Sequence, residues 1–203
     1  IETKIDGEIV ERGEIALDAK IFSEIVRKLP DSDVTIETDT SFKTVISCEK
    51  AKFNIIGKSA EDFSRIPYIE KNDSIIMSQF TLKEVIRQTI FSISDNDNNK
   101  LMTGELFEIN ENQLKVVSLD GHRISIRYIE LKNNYEHKKV VVPGKTLQEI
   151  SKIIPGSVDE DVIIYLSNNH IVFDFDNTTV VSRLIEGEYF KIDQMLSSDY
   201  ETK

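Results

Sequence analysis

Asp120, His122 and Arg123 stand within four residues of one another, with Gly121 after the first. A carboxylate and an imidazole two apart on an extended segment can share a face and pass a proton, the elementary step of acid–base hydrolysis. Nothing completes such a site. No Ser or Cys nucleophile elbow and no Gly-rich phosphate loop accompanies the pair, and His137 and His170 lie in separate polar contexts. The other chemistry open to these groups is recognition. His122 and Arg123 can donate hydrogen bonds to a peptide carbonyl or a side-chain amide, while Leu119 and Ile124 offer apolar surface on either side. Asp followed by Gly is also a turn signal, because Gly tolerates positive φ, so His122 can equally cap a turn and Arg123 can equally be a solvated strand residue. Acidic residues are plentiful but show neither calcium-loop spacing nor a His–carboxylate cluster, so no metal and no cofactor is expected. Cys48 stands alone in a strand-like stretch and reads as a small half-buried hydrophobe, with no disulfide framework.

The elements that must hold this turn alternate between two periods. Ile21, Phe22, Ile25, Val26 and Leu29 fall at helical spacing behind a possible Asp18 cap, and Pro30 ends the run. A second helix is expected over 81–93, where Thr81 and Glu84 can form a capping box ahead of Leu82, Val85, Ile86, Ile90 and Ile93. A third runs from about Gly144 to Ile154 and stops at Pro155. Short alternating or β-branched runs predict strands at Val34–Glu37, Phe42–Ser47, Leu106–Ile109, Leu114–Ser118, Ile124–Ile129, Val140–Val142, Val162–Leu166, His170–Phe175 and Thr178–Arg183. Tight polar turns such as Glu111-Asn112 and Asn168-Asn169 join several of them. Two of the helices belong to an internal repeat. Leu17, Lys20, Glu24, Ile25, Arg27, Leu29 and Pro30 recur as Val142, Lys145, Glu149, Ile150, Lys152, Ile154 and Pro155, all at an offset of 125. Beyond the helix, Val34-Thr35-Ile36 matches Val162-Ile163-Ile164, and Asp62-Phe63 matches Glu188-Tyr189. Residues 74–135 read as a third, divergent unit, so the chain is built of helix-plus-strands units.

Composition sets the outer bounds. At 203 residues the chain suits one large domain or a domain and a half. It starts at Ile1 without an initiator Met and reads as a piece of a longer protein. No apolar run reaches membrane-spanning length and no secretory pattern opens the chain, so a soluble, cytoplasmic protein is expected. The net charge of −11 argues at first against a nucleic-acid partner. The three expected helices nevertheless carry Lys20, Arg27, Lys28, Lys83, Arg87, Lys145 and Lys152 against four acids, a net +3, which leaves the acidity on strands and loops. Charge alone leaves ordinary solvated helix faces as the simpler reading.

Three motifs in order tie these features together: Thr103-Gly104-Glu105-Leu106-Phe107, Leu119-Asp120-Gly121-His122-Arg123-Ile124, and Leu184-Ile185-Glu186-Gly187-Glu188-Tyr189. In these the sequence resembles the bacterial sliding clamps, the β subunits of DNA polymerase III. The resemblance implies an α+β, DNA-clamp fold, with repeated helix and antiparallel-strand units and the helices on one face of a curved antiparallel sheet. It implies residues 1–70 as the C-terminal half of a first domain, 74–196 as a complete second domain and 197–203 as a link into an absent third. Family members form head-to-tail homodimeric rings around duplex DNA and tether the polymerase without themselves catalysing a reaction. The resemblance therefore turns the seven basic residues above toward double-stranded DNA, which they would attract through its backbone without reading its sequence. It also implies an outer pocket for short Gln-containing, Leu-rich peptides of the polymerase, clamp loader and repair factors. The matching positions are Met102, Leu119, Gly121, His122, Arg123, Ile124, Phe190 and Met195. A dimer edge is implied at Lys52, Phe53 and Ile55, and a monomer is expected for this chain because the partner edge lies on the absent domain. Phe190 stands where the family usually has Pro, and Asp95–Lys100 is Asn-rich where relatives often carry Arg-Pro. Beside the clamp stand two other readings: a repeat-built interaction module with no DNA role, and a hydrolase using Asp120 and His122.

Overall fold

Helical periodicity and strand alternation both carry through to the computed structural model, which describes residues 1–71, 74–96 and 98–196. The chain divides into two compact units, one of residues 6–65 and one of residues 1–5 together with everything from Ile66 onward. The smaller unit is thus shorter at both ends than the expected segment 1–70. At the N-terminal end the cause is visible: β1 (Glu2–Thr3) adds to the sheet of the larger unit by pairing with Thr179 and Thr178. The expected link at 197–203 lies outside the described residues.

In the smaller unit, α1 (Ala19–Val26) begins where the Asp18 carboxylate accepts the Ile21 N–H at 2.9 Å. This satisfies one of the donors that the first turn leaves free. The helix ends at Val26, short of the expected Leu29. β2 (Thr35–Thr38), β3 (Lys43–Cys48) and β4 (Ala51–Ile56) follow as an antiparallel sheet in that order. The central strand turns Thr44, Ile46 and Cys48 inward, and the Thr44 hydroxyl is satisfied by that of Thr38 at 2.9 Å. Burial raises the Cys48 thiol pKa, in keeping with an inert side chain. Phe42 and Glu49, at the two strand reversals, take positive φ.

The larger unit holds a five-stranded antiparallel sheet in the order β1, β10 (Thr178–Arg183), β9 (His170–Phe175), β8 (Asp161–Leu166), β5 (Ser74–Ser78). β5 was not among the expected strands, and it relocates the next helix. Its ladder runs to Ser78 opposite Asp161, and the Gln79 N–H then bonds to the Glu160 carbonyl. α2 (Gln79–Thr89) therefore starts behind Ser78, whose Oγ accepts the Thr81 N–H at 3.1 Å. The capping box expected at Thr81 and Glu84 does not form: Thr81 is already inside the helix, and Glu84 pairs with Arg87. A 3₁₀ turn over Ile90–Ser92 continues from α2. β6 (Gly104–Leu119) and β7 (Ile124–Pro143) form a long antiparallel ladder. No turn forms at Glu111-Asn112: the expected strands Leu106–Ile109 and Leu114–Ser118 merge into β6, and only register shifts on both sides of Glu111, whose φ is +52°, interrupt the ladder.

β7 leads straight into α3 (Gly144–Ile153). A Cβ on Gly144 would lie 2.4 Å from Ile93 Cδ1 and 2.8 Å from the Thr103 carbonyl, so the backbone can pass there only without a side chain. Leu82, Val85 and Ile86 of α2, with Leu147 and Ile150 of α3, share one core with inward residues of the strands, among them Phe107, Leu114, Ile164 and Phe173. Burial of such side chains contributes about 1.5–3 kcal/mol each, which is what pins both helices to the sheets. Two polar contacts bridge the end of α3 to α2: Lys83 Nζ donates to the Ile154 carbonyl at 2.9 Å, and the Gly156 N–H donates to Gln79 Oε1 at 3.3 Å. Among the described residues no helix is long and apolar enough to cross a membrane.

Candidate functional site

Residues 120–123 turn tightly between β6 and β7, with Leu119 opposite Ile124 as the last ladder pair. Asp120 organises the turn. One carboxylate oxygen accepts the N–H groups of His122 (3.0 Å) and Arg123 (3.1 Å), and the other accepts Arg123 Nε at 2.9 Å. The His122 N–H bond, helped by Arg123, holds the carboxyl below the usual range. Asp120 is thereby spent on backbone and guanidinium rather than on the imidazole. This removes the acid–base pair on which a hydrolase reading would depend. Gly121 sits at φ +89°, a conformation that a side chain would strain. His122 and Arg123 are both exposed.

Beneath the turn lies a second, smaller core. Leu106, Val117, Leu119, Val141, Tyr189 and Ile192 are buried together, and Met102, Ile124 and Phe190 pack against them half-buried. Of the eight expected pocket positions, Met102, Leu119, Ile124 and Phe190 are thus brought into one apolar cluster, with Gly121, His122 and Arg123 on the adjoining turn. Met195 is not in the cluster: it ends the short α4 (Ile192–Met195) and is 48% exposed. Tyr189, the last residue of the Leu184–Tyr189 motif, is central. Its ring meets Phe190 edge-on at 5.5 Å, and its hydroxyl donates to the Val117 carbonyl at 3.4 Å. Burial pushes its phenol well above the usual range. A cleft of about 650 Å³ opens beside the cluster, bounded by the segment 184–194 and by Leu106, Glu108, Lys115 and Lys139. Phe190 is the one expected pocket residue that lines it. Glu108 there is drawn upward by burial but ends below its ordinary range, because Lys139 at 2.8 Å and its neighbours His137 and Lys115 favour the charged form.

Glu105 belongs to the Thr103–Phe107 motif. It is fully buried, one oxygen lies 3.1 Å from Thr89 Oγ1, and the other has no hydrogen-bond partner. Burial pushes its carboxyl up to about 8. Residue type alone does not set it apart, since β6 also carries Glu108 and Glu111.

The basic helix residues separate into two groups. Lys20, Arg27 and Lys28 of the smaller unit are exposed, as are Lys145, Lys152 and Arg87 of the larger. Arg87 is held bidentately by Glu84, and Lys152 pairs with Glu149 at 2.8 Å. Lys83 is half-buried and spends its ammonium on the end of α3. The expected dimer edge falls on β4, which among the described residues pairs with β3 alone. Lys52 there is exposed, while Phe53 and Ile55 are half-buried. Among the described residues no group of His, Cys, Asp or Glu side chains could hold a metal ion.

Comparison with known proteins gives the same family from sequence and from structure. The family model described as the DNA polymerase III beta subunit, central domain, matches residues 76–191, and that of the N-terminal domain matches residues 1–67. Beta sliding clamps of Staphylococcus epidermidis and Staphylococcus aureus are 33% and 34% identical over the whole of this chain and 55% of their own length. A putative DNA polymerase III beta subunit from Eubacterium rectale superposes with a TM-score of 0.94 at 86% identity, covering 98% of this chain and 54% of that one. The sliding clamp of Bacillus subtilis superposes at 0.89 with 33% identity, over 97% and 52%. A sliding clamp from Pseudomonas aeruginosa, solved bound to griselimycin, superposes at 0.85 with 25% identity, over 93% and 51%. The chain spans about half the length of the curated relatives it matches.

Proposed function

The chain belongs to the DNA polymerase III beta subunit family, the bacterial sliding clamps, and on that premise we propose that it is part of a processivity factor of the replicative polymerase. The full-length protein encircles duplex DNA as a homodimeric ring, acts in the cytoplasm and tethers polymerase, clamp-loader and repair proteins. It performs no bond chemistry itself. Residues 1–70 serve as the second half of a first clamp domain and 74–196 as a complete second one. Lys20, Arg27, Lys28, Arg87, Lys145 and Lys152 face the DNA, at a loose, sequence-independent attraction that permits sliding. Lys83 acts there as a strut between α2 and α3. β4 is the dimer edge, and this chain alone is a monomer, for which sedimentation at micromolar concentration is the check.

Partner peptides dock beside the Asp120–Arg123 turn. The observation that carries this reading is the convergence of Met102, Leu119, Ile124 and Phe190 on one apolar cluster next to exposed His122 and Arg123. Such a trough takes Leu side chains, while the turn donates hydrogen bonds to the peptide. The P. aeruginosa clamp with griselimycin bound supports ligand binding within the family.

The test of encirclement uses the full-length parent, loaded by its own loader and ATP on nicked circular DNA and then challenged with high salt. Retention on the circle and loss after linearisation is expected, since salt screens backbone contacts but cannot unlink a ring. Equal behaviour on both forms would leave an interaction module with no DNA role.

A further inference from the structure

The turn that carries His122 and Arg123 is fastened at its root to the end of α2. Ser118 and Ser125 face each other across the β6–β7 ladder, one pair before Leu119 and Ile124. Ser118 Oγ donates to the Thr89 carbonyl at 2.6 Å, and Ser125 Oγ bonds to Ser92 Oγ at 2.7 Å. Thr89, Ser92, Glu105 and Ser118 are all fully buried. Thr89 is the junction: its φ of −121° ends the regular helix, and its hydroxyl lies 2.8 Å from the Val85 carbonyl and 3.1 Å from Glu105 Oε2.

Proton counting decides the state of this group. A threonine hydroxyl has one proton. Given to the nearer Val85 carbonyl, it leaves the Glu105 contact without one unless the carboxyl supplies its own. As an acid, Glu105 donates to Thr89 Oγ1 and the chain Glu105, Thr89, Val85 is satisfied. As a carboxylate, it would be a buried charge with a shared donor on one oxygen and none on the other. Among the described residues nothing charged compensates it. The elements around it bring Thr89 from α2, Val142 opposite it on β7, and Tyr189, whose neutral phenol is the one titratable group that interacts with it among the described residues.

We propose that Glu105 is a positioning residue for the peptide trough: in its neutral form it locks Thr89, and through Ser118 the Leu119–Ile124 turn, against α2, and charge on it releases that lock. This rests on the trough reading given above. Ionisation must either draw water in beside Glu105 or push Thr89 away, and both act one residue from the trough wall. The raised carboxyl places the release near pH 8.

The experiment measures anisotropy of a fluorescein-labelled, Gln-containing, Leu-rich peptide on the full-length clamp from pH 7 to 9.5, beside E105Q and E105L. Hydrogen exchange of the 118–125 amides is read as the ratio of wild type to variant at each pH. Gln keeps a donor for Thr89 and cannot ionise, so E105Q should bind equally well across the range. Wild type should weaken on the order of fivefold above pH 8, with faster exchange at 118–125. E105L, which has neither donor nor charge, should be pH-independent and weak throughout. A wild-type pH profile that E105Q retains in both readouts would overturn the lock. Exchange that responds as expected while no peptide binds at any pH would uphold the lock and instead remove the trough.

Discussion

The same repeat stands twice in this chain, and the two copies are packed very differently. α1 with β2–β4 and α3 with β8–β10 share the helix pattern at an offset of 125, so Ile25 corresponds to Ile150, Leu29 to Ile154 and Ala19 to Gly144. In the larger unit Ile150 and Ile154 are sealed, at 0% and 1% exposed. In the smaller, Ile25 is its helix's one buried residue, while Ile21, Val26, Val34 and Ile36 lie open. The difference is α2. α3 packs on a core that α2 and three further strands, β5, β6 and β7, complete, whereas α1 has only its three strands within its own unit. One helix and three strands do not bury an apolar face on both sides, so the repeat becomes stable in pairs.

Matched substitutions put the greatest strain on this comparison. In urea unfolding followed by residue-resolved hydrogen exchange, Ile150→Ala should cost the larger unit about 4 kcal/mol, because a sealed site cannot collapse around the lost atoms. Ile25→Ala should cost the smaller unit about half that; equal losses would mean that the two copies are packed alike. Next in size is the pH response. Glu105 has no counterpart in the smaller unit's core, and its folded-state value of about 8 lies above the ordinary 4.5. Above pH 4.5 the unfolded chain gives up this proton while the folded chain keeps it, so stability falls as pH rises and levels off beyond about 8. At pH 7 the penalty is about 3 kcal/mol. E105Q should raise the melting temperature of the larger unit at pH 7 and flatten its decline, leaving the smaller unit unchanged.

The remaining two predictions separate the helix starts. Gly144→Ala should destabilise by about 1–3 kcal/mol despite the better helix propensity of Ala, since its Cβ would strike Ile93 and the Thr103 carbonyl. The reverse change at the matching position, Ala19→Gly, should cost less than about 1 kcal/mol, the propensity difference alone. Smallest is the loss of caps: Ser78→Ala and Asp18→Ala should each cost about 0.5–1 kcal/mol in thermal melts. A larger loss at Asp18 than at Ser78 would indicate that α1 depends more on its own cap, having less packing to hold it.

What could be read from the residues was local or periodic. The helices at 19–26 and 144–153 follow from apolar spacing with Asp18 before one and Pro155 after the other, and the repeat follows from residue identities at a constant offset. The turn at 120–123 was legible because Asp and Gly act within a few bonds of themselves. Resemblance added the pocket positions, four of which meet in one cluster. Pairings distant in sequence were not legible. Ser78 displaces Thr81 as a cap because β8, more than 80 residues on, carries β5 to that point. Lys83 looks like any solvated cation until α3 presents the Ile154 carbonyl to it, and Tyr189 and Glu105 become a cluster centre and a neutral acid only once strands enclose them. Local dihedral preference and apolar period depend on neighbours in sequence, so the chain alone determined its helices, turns and repeat. Burial, and with it the charge state of Glu105 and the strut role of Lys83, depends on neighbours in space, and only the packed sheets and helices decided those.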